Sequence, residues 1–488
     1  MRPKRIAMTA RSSLVALSLA LAACGGINFG SSDGGQRGCS VDGGANEGVK
    51  QPGNQPGGVD LAYGDLAVAP DGSFVVFEQD ARLAVAWTKS GVVEVLPVAL
   101  PSRLAFAQAA HVVYVSSTFD GAVHAIDVDA GETLWAAPVG ALDDGFLAVT
   151  EDDAHVAFAA SRTLWVLEGK DGHVVKKVAL ESPVVDLEIL PDERRVLAVE
   201  MHVFAPNAEL DRGAPVATTR IDVLDLETGD LRVLSVPNCS DDVVVTGDGK
   251  RAFLAPTFCP KDPISVIELT AGKESFVKNL PGFGPVVLAP DGNTAVGFFD
   301  ANQVDAALFD DPSAIPPKGA FHLMVIEPAK LTYAFYEYGP VWPRYATTPN
   351  GKLLLVDDDL GSTPARLFDL ETRAFEAIEG PALGFEQLAL SSDSRHAYVL
   401  SKLESPRRRR GRGRAGRATT AALNEHDLYD LDLAAAKASP LPVGFRPWNV
   451  NIAPDDRSLF LRKDDHDLCV FSLETLSCER NLVLTIGL

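Results

Sequence analysis

A short repeat, present nine times between Leu66 and the C-terminus, constrains this chain more than any other feature. Each copy has an apolar strand, a Pro-Asp-Gly-like turn, a second apolar strand and a third strand ending in an acid. The clearest turns are LAVAPDG at Leu66–Gly72, VVLAPDG at Val286–Gly292, YATTPNG at Tyr345–Gly351 and VNIAPDD at Val450–Asp456. A unit this small cannot bury its own apolar face, so it must stack on its neighbours.

Each copy predicts four strands, because Asp-Gly and Thr-Gly turns between short β-branched runs are hairpin signals. Typical third strands end in acids, as in IDVLDLETG at Ile221–Gly229 and VHAIDVDAG at Val123–Gly131. Four-stranded units that repeat about every 40–60 residues are typical of a β-propeller. We therefore predict an all-β fold, a single β-propeller of eight or nine blades over residues 59–488.

The pairing of these turns with acidic third strands resembles the YVTN/WD40-like propellers of bacterial envelopes. The resemblance extends from Leu66 to the end of the chain. Because it lies in the repeats, it implies a fold and not an activity.

The N-terminus resembles the signal peptide and lipobox of bacterial lipoproteins. A basic start (Arg2, Lys4, Arg5 and Arg11) precedes a short apolar run that ends in Leu-Ala-Ala-Cys-Gly at 21–25. The resemblance implies cleavage after residue 23, lipidation of Cys24 and sorting to the outer membrane, on its periplasmic or surface face. Residues 24–58 are rich in Gly, Ser and Pro, and we expect a flexible tether with a reach of roughly 30 Å.

Five further cysteines allow disulfides in an exported protein. Cys469 and Cys478 flank Ser472–Thr475 symmetrically, so a four-residue hairpin loop would bring them opposite each other. Cys239 and Cys259 lie in two loops of the fifth repeat, and a bond between them would contribute about 3 kcal/mol. Cys39 is left over and is either free or a link between two molecules.

Three long insertions fall between second and third strands, at Phe204–Thr218, Asp300–Gly319 and Glu404–Asn424. In an up-and-down blade these connections share a face with the linkers between blades. One face is therefore expected to be elaborated, and loops on a rigid scaffold commonly carry binding sites. Simple tolerance of exposed loops to insertion is the alternative.

Acids also follow many second strands on that face. Clustered oxygen ligands suit Ca²⁺, although no EF-hand loop is present. Solvated surface charge is the alternative interpretation. The candidate metal ligands are Asp357, Asp358, Asp359, Asp464, Asp465 and His466.

Seven arginines lie within eleven residues at Arg407–Arg417, and such a run cannot pack in a core. It could bind an anionic envelope component, fold over the acidic rim of the propeller, or form a disordered loop. The residues are Arg407, Arg408, Arg409, Arg410, Arg412, Arg414 and Arg417.

No catalytic residue is predicted. The GSSDG at 30–34 lies in the tether, and the GRGRAG at 411–416 lies in the arginine run, so neither has the strand and helix its motif requires. A net charge of −22 argues against nucleic acid as a partner of the propeller. The chain is thus predicted to be a non-catalytic binding module for envelope proteins or anionic envelope components, without a required cofactor. The alternative is a lactonase- or hydrolase-like propeller with a metal in an acid-lined central channel.

Overall fold

Nine antiparallel sheets, each built on four strands, are arranged in a ring as the blades of a β-propeller. A computed structural model of the protein describes residues 59–60 and 66–483, except 109–110, 141–144, 201–202, 205–216, 237, 241, 257–261, 291, 293, 302–314, 341–342, 358–363, 402–427 and 464–466. These residues form strands and turns, with no helix among them and hence none long and apolar enough to cross a membrane. The predicted all-β propeller is confirmed, and it has nine blades.

The first five blades follow the chain order. Blade 1 contains β2 (Leu66–Val68), β3 (Phe74–Gln79), β4 (Arg82–Trp87) and β5 (Val93–Ala99). Blade 2 contains β6 (Pro101–Phe106), β7 (Val112–Ser117), β8 (Ala122–Asp127) and β9 (Glu132–Pro138), and blade 3 contains β10 (Gly145–Val149), β11 (His155–Ala160), β12 (Thr163–Glu168) and β13 (Val174–Ala179). Blade 4 contains β14 (Val184–Ile189), β15 (Arg195–Glu200), β17 (Ala217–Asp225) and β18 (Leu231–Val236). Blade 5 contains β19 (Asp242–Val245), β20 (Arg251–Ala255), β21 (Ile264–Glu268) and β22 (Ser275–Leu280).

The last four blades continue in the same way. Blade 6 contains β23 (Phe283–Leu288), β24 (Ala295–Asp300), β25 (Phe321–Glu327) and β26 (Thr332–Gly339). Blade 7 contains β27 (Pro343–Thr347), β28 (Lys352–Asp357), β29 (Arg366–Asp369) and β30 (Ala374–Ala377). Blade 8 contains β31 (Phe385–Leu390), β32 (His396–Ser401), β33 (Leu428–Asp432) and β34 (Lys437–Pro440), and blade 9 contains β35 (Asn449–Ile452), β36 (Ser458–Arg462), β37 (Asp467–Ser472) and β38 (Ser477–Val483).

Two short strands extend this pattern. β1 (Val59–Asp60) pairs antiparallel with β6 on the free edge of the first strand of blade 2, and β16 (Val203–Phe204) pairs with the start of β17.

The core lies between blades rather than within them. Second and third strands are buried on both faces, because a neighbouring blade packs on each side, and their sequences are therefore almost continuously apolar. The ring closes where Leu66 and Phe77 of blade 1 pack with Phe460 and Leu468 of blade 9. Fourth strands alternate between buried and exposed residues, which identifies them as the outer edge of each blade.

The two ends of the strands define two faces. The turn face carries the connections between first and second strands and between third and fourth strands. The loop face carries the connections between second and third strands and the linkers between blades. The second strands that precede the three predicted insertions, β15, β24 and β32, end at the loop face, as expected, and most of the inserted residues lie outside the described residues. In blade 1 the same connection is only Asp80-Ala81.

Candidate functional site

The acid of the repeated Pro-Asp-Gly turn has a structural role on the turn face. Asp71 accepts a hydrogen bond from the backbone N–H of Ser73 at 2.9 Å, and Asp393 accepts one from the N–H of Arg395 at 2.9 Å. These are Asx turns, in which a side-chain oxygen replaces a backbone acceptor. Hydrogen bonds of this kind lower the pKa of Asp393 below its usual range. The acids ending third strands do the same, since Asp225 accepts from the N–H groups of Glu227 and Thr228.

Neighbouring turns are also connected around the ring. In blades 2, 3 and 8 the backbone N–H of the second residue of the turn between the first two strands donates a hydrogen bond. The acceptor is an acid at the fourth position of the same turn in the next blade. The pairs are Gln108 with Asp153 (2.9 Å), Glu151 with Glu193 (2.8 Å) and Ser392 with Asp456 (3.0 Å).

Where the second turn residue is proline, it has no N–H to donate, and the fourth residue of the next turn is small. Pro454 faces Gly72, and a Cβ atom on that glycine would lie 3.0 Å from the proline Cδ. Pro191 similarly faces Gly249. The polar groups of these turns are therefore largely used to join blades.

A Ser–His–Asp row lies between the turns of blades 1 and 2. Ser73 Oγ is 3.3 Å from His111 Nε2, and His111 Nδ1 is 2.8 Å from Asp129 Oδ1. However, Asp71 Oδ2 also lies 3.0 Å from Nε2, and Asp71 Oδ1 accepts the Ser73 hydroxyl at 2.6 Å. Hydrogen bonds with Asp129 and Asp71 raise the pKa of His111. Because Nε2 faces the Asp71 carboxylate as well as Ser73, it is not placed as a free base toward the Ser73 hydroxyl. These hydrogen bonds join the turns of blades 1 and 2, and the three residues do not form a catalytic triad.

The loop face holds a different kind of acid cluster between blades 3 and 4. Glu200 ends β15, and Asp222 lies on the adjacent β17; both carboxyl groups are fully buried. Arg220 Nε is 2.8 Å from Glu200 Oε1, and Arg220 Nη2 is 3.3 Å from Asp222 Oδ1. Burial, together with a hydrogen bond to Asp222, raises the pKa of Glu200 to about 7.

This carboxyl pair is closed to a substrate. The N–H of Ser182 donates to Glu200, and Arg220 also contacts Glu181 from the outside. The pair sits at the base of the blade 4 insertion, where β16 pairs with β17. Its chemistry fits an anchor for that insertion rather than an acid–base catalyst.

The neighbouring linker into blade 5 is fixed by further buried polar groups. Thr219 Oγ1 donates to the Asn238 carbonyl at 2.8 Å and accepts from the N–H of Ser240 at 2.7 Å. The N–H of Cys239 donates to Asp262, whose pKa burial raises. The bases of two adjacent loop-face connections are therefore rigidly held.

The other acids after second strands do not converge on one point. Glu78 accepts the N–H of Ala81 at 2.7 Å, and Asp120 lies 3.0 Å from His124 Nε2. Among the described residues, no group of three or more His, Cys, Asp or Glu side chains is arranged to hold a metal ion. Asp357 ends β28, and the remaining candidate ligands lie outside the described residues: Asp358, Asp359, Asp464, Asp465 and His466.

The disulfide between Cys469 and Cys478 is present, with a Cα–Cα distance of 5.7 Å. The predicted hairpin loop, Ser472–Thr475, is wrong by one residue, because Ser472 pairs with Ser477 and the loop consists of residues 473–476. A bulge between Val470 and Phe471 then brings the two cysteines together diagonally. Cys239 is disulfide-bonded, whereas its predicted partner Cys259, the lipidation site Cys24 and the arginines of 407–417 lie outside the described residues.

Sequence reasoning missed Arg220, Asp222 and the pairing of His111 with Asp129. The alternation of charged residues with apolar ones in TRIDVLD was the available signal for the first two. It shows that charged residues lie on one face of a third strand.

The chain matches no protein-family model and no curated protein sequence. Among solved structures it is similar to a eukaryotic initiation factor, with 12% identity, a TM-score of 0.52, and coverage of 80% of this chain and 89% of that one. It is also similar to the dihydro-heme d1 dehydrogenase NirN in complex with DHE, with 16% identity, a TM-score of 0.48, and coverage of 78% and 74%. A third similar structure is the β-propeller domain of Cps50 (Swd1) from Myceliophteria thermophila, with 12% identity, a TM-score of 0.36, and coverage of 68% and 93%. These likenesses concern the fold alone.

Proposed function

We propose that the protein is a non-catalytic binding module that recognises an envelope protein through the loop face of its propeller. A lipid on Cys24 would hold it at the outer membrane, and the tether at residues 24–58 would give the propeller reach. The observation that carries the proposal is the contrast between the faces. Turn-face polar groups are largely occupied in joining blades, whereas the strands that precede all three long insertions end at the loop face.

Rigid bases beneath the insertions support a recognition role. The blade 4 insertion starts from the buried Glu200–Arg220–Asp222 cluster, and the adjacent blade 5 linker is fixed through Thr219. Preorganised bases reduce the ordering cost that a loop incurs on binding. The arginines at 407–417 belong to the sequence between β32 and β33 of blade 8 and would add contacts to acidic groups of the partner.

Crosslinking in intact envelopes tests this proposal. The full chain would be compared with variants in which residues 205–216 or 404–424 are replaced by the two-residue turn of blade 1. A variant with Glu327→Ala and Lys330→Ala, an exposed turn-face ion pair, is the matched control. We expect a specific crosslinked partner that is lost in at least one loop variant and kept in the control. Crosslinking that is unchanged in both loop variants would contradict the proposal.

A metal-dependent propeller enzyme is the competing function, and metal analysis separates the two. We expect the purified full chain to contain no stoichiometric divalent ion after dialysis against buffer. A retained ion at one equivalent, lost on substitution of Asp357 or Asp464, would favour the enzyme.

A further inference from the structure

In blades 1, 4 and 5 the turn-face end of the gap to the next blade is closed by one side chain at an equivalent position. This gap residue is the one whose carbonyl accepts the N–H of the first turn residue. In blade 1 it is Phe74, whose carbonyl accepts from Ala69. The Phe74 ring packs against Trp87, Phe106 and His111 and fills the gap to blade 2.

In blades 4 and 5 the gap residue is an arginine that spans the gap. Arg195 donates to the carbonyl of Leu269 in blade 5, and its Nη1 lies 3.3 Å from Glu274 Oε1. Arg251 donates to the carbonyl of Pro328 in blade 6. Both arginine side chains therefore reach the start of the connection between the third and fourth strands of the next blade.

In blade 7 the gap residue is Lys352, and the gap to blade 8 is open. The turn here is one residue shorter, since Thr348 bonds to the fourth residue after it whereas Ala69 bonds to the fifth. A cavity of about 300 Å³ remains. Its lining includes Asn350, Lys352, Leu367, Ser394, Arg395 and Leu433.

The open gap also lacks the acids of its closed counterpart. Asp192, which pairs with Arg195 at 2.6 Å, is replaced by Asn350 at the same turn position. The six-residue connection that supplies Glu274 in blade 5 is only four residues long in blade 8, at 433–436. Among the residues that the structure describes, Lys352 and the largely exposed Arg395 line this gap without a buried carboxylate partner, and the acid in the lining is the half-exposed Asp393.

The nearby carboxylates do not take over that role. Asp393 Oδ1 is held by the N–H of Arg395 and the hydroxyl of Ser391, and Asp393 Oδ2 is 3.7 Å from Arg395 Nε. Glu376, which is largely exposed, lies 3.9 Å from Lys352 Nζ, at the limit of an ion pair.

We propose that the cavity between blades 7 and 8 binds a small molecule carrying a carboxylate or phosphate group. The anionic group would contact Lys352 and Arg395. It would take the place that the Glu274 carboxylate has beside Arg195 in the gap between blades 4 and 5. The apolar side chains of Leu367 and Leu433 would contact the body of the ligand. The site lies on the turn face and is independent of the binding function proposed for the loop face.

Calorimetric titration of the full chain tests the proposal with three probes: inorganic phosphate, a monosaccharide uronic acid and neutral glucose. Phosphate and uronic acid distinguish the two anionic groups. Lys352→Met removes the charge, and Lys352→Arg restores the side chain that closes the gaps after blades 4 and 5 while keeping the charge. Lys250→Met, an exposed cation in the equivalent turn of blade 5, is the control.

We expect saturable binding of at least one anionic probe and none of glucose. Both Lys352 variants should weaken binding about tenfold or more, since each removes a charge-assisted contact or the space for the ligand. Lys250→Met should leave it unchanged. Absence of binding by either anion, equal binding of glucose, or an equal loss in the Lys250 variant would overturn the proposal. Lys352→Arg keeps a cation at a position that arginine occupies in blades 4 and 5, so weakened binding in this variant with unchanged urea unfolding excludes misfolding as the explanation.

Discussion

The shifted carboxyl groups of the turn face mostly have a lowered pKa, whereas the buried Glu200 and Asp262 of the loop face have a raised pKa. Asp120 is the loop-face exception, because desolvation is outweighed by its hydrogen bonds and its attraction to His124, which lower its pKa. On the turn face, Asp71 and Asp393 accept backbone and hydroxyl hydrogen bonds; the pKa of Asp71 falls to about 2 and that of Asp393 is lowered. On the loop face, burial raises the pKa of Glu200 to about 7 and also raises that of Asp262. Glu193 is the turn-face exception, because burial and nearby acids raise its pKa although it accepts the N–H of Glu151.

The difference shows that acids of one repeat serve two purposes. Turn-face acids are ionised and repetitive, and they define turns and join blades. The loop-face pair is buried and specific to blade 4. If this division is correct, substitutions on the turn face should alter stability, and the loop-face pair should dominate the pH dependence near neutrality.

The largest effect is expected at the closed gap between blades 4 and 5. Arg195→Met should lower the free energy of unfolding by about 3 kcal/mol, because Glu274 stays buried and keeps only Arg232, 3.2 Å away, and the N–H of Gly272, 3.1 Å away, as partners. Urea unfolding at pH 7 measures this. Lys250→Met, on an exposed cation of the blade 5 turn, should change it by less than about 0.5 kcal/mol. A loss below about 1 kcal/mol in the Arg195 variant would show that this turn-face contact is dispensable.

The second prediction concerns the pH dependence of the free energy of unfolding, which should differ between carboxyl groups of the two faces. The folded pKa of Glu200 is above its unfolded value, so the folded state holds an extra proton between about pH 4.5 and 7. The resulting stability is full below pH 4.5 and is lost as the pH rises through 7, by roughly 3 kcal/mol. Glu200→Gln should flatten the pH profile of urea unfolding in that window.

Asp393→Asn is the control for this profile. Its folded pKa is lowered, so its contribution is present above about pH 4 and is lost as the pH falls further. This variant should therefore leave the slope between pH 4.5 and 7 unchanged. An unchanged slope in Glu200→Gln would instead remove the carboxyl pair as the source of the pH dependence.

The sequence predicted the repeating parts of the molecule better than its special sites. Strand alternation and turn residues act within a few residues, so the blades and the positions of the insertions could be inferred. The closed gap depends on Arg195 and Glu274, which are 79 residues apart, and no local pattern connects them. The Glu200–Asp222 pair was hidden for a related reason. The register of β15 against β17 is set across the blade 4 insertion, whose length does not determine it.

A smaller effect is expected at His111, whose hydrogen bonds join the turns of blades 1 and 2. The pKa of His111 is raised, so its stabilising charge is present below about pH 6.5 and is lost as the pH rises through the raised value. His111→Gln should cost about 1 kcal/mol or less at pH 6, because Asp71 and Asp129 are more than half exposed and solvent screens the pairs. The cost should decrease at pH 9 and in high salt. His173 is an exposed histidine between the third and fourth strands of blade 3, and His173→Gln should show no such dependence on pH or salt.

The smallest effect tests the link between neighbouring turns. Ser392→Pro removes the N–H that Asp456 accepts, and Asp456→Gly removes the acceptor while relieving a positive φ of 56°. Together the two changes reproduce the Pro454–Gly72 arrangement between blades 9 and 1. The double variant should therefore be more stable than the sum of the single changes predicts, by about 0.5–1 kcal/mol in a double-mutant cycle. Gln108→Pro with Asp456→Gly, two positions that do not touch, should be additive. Additivity in the first pair would mean that proline and glycine at these positions act within each turn and do not join the blades.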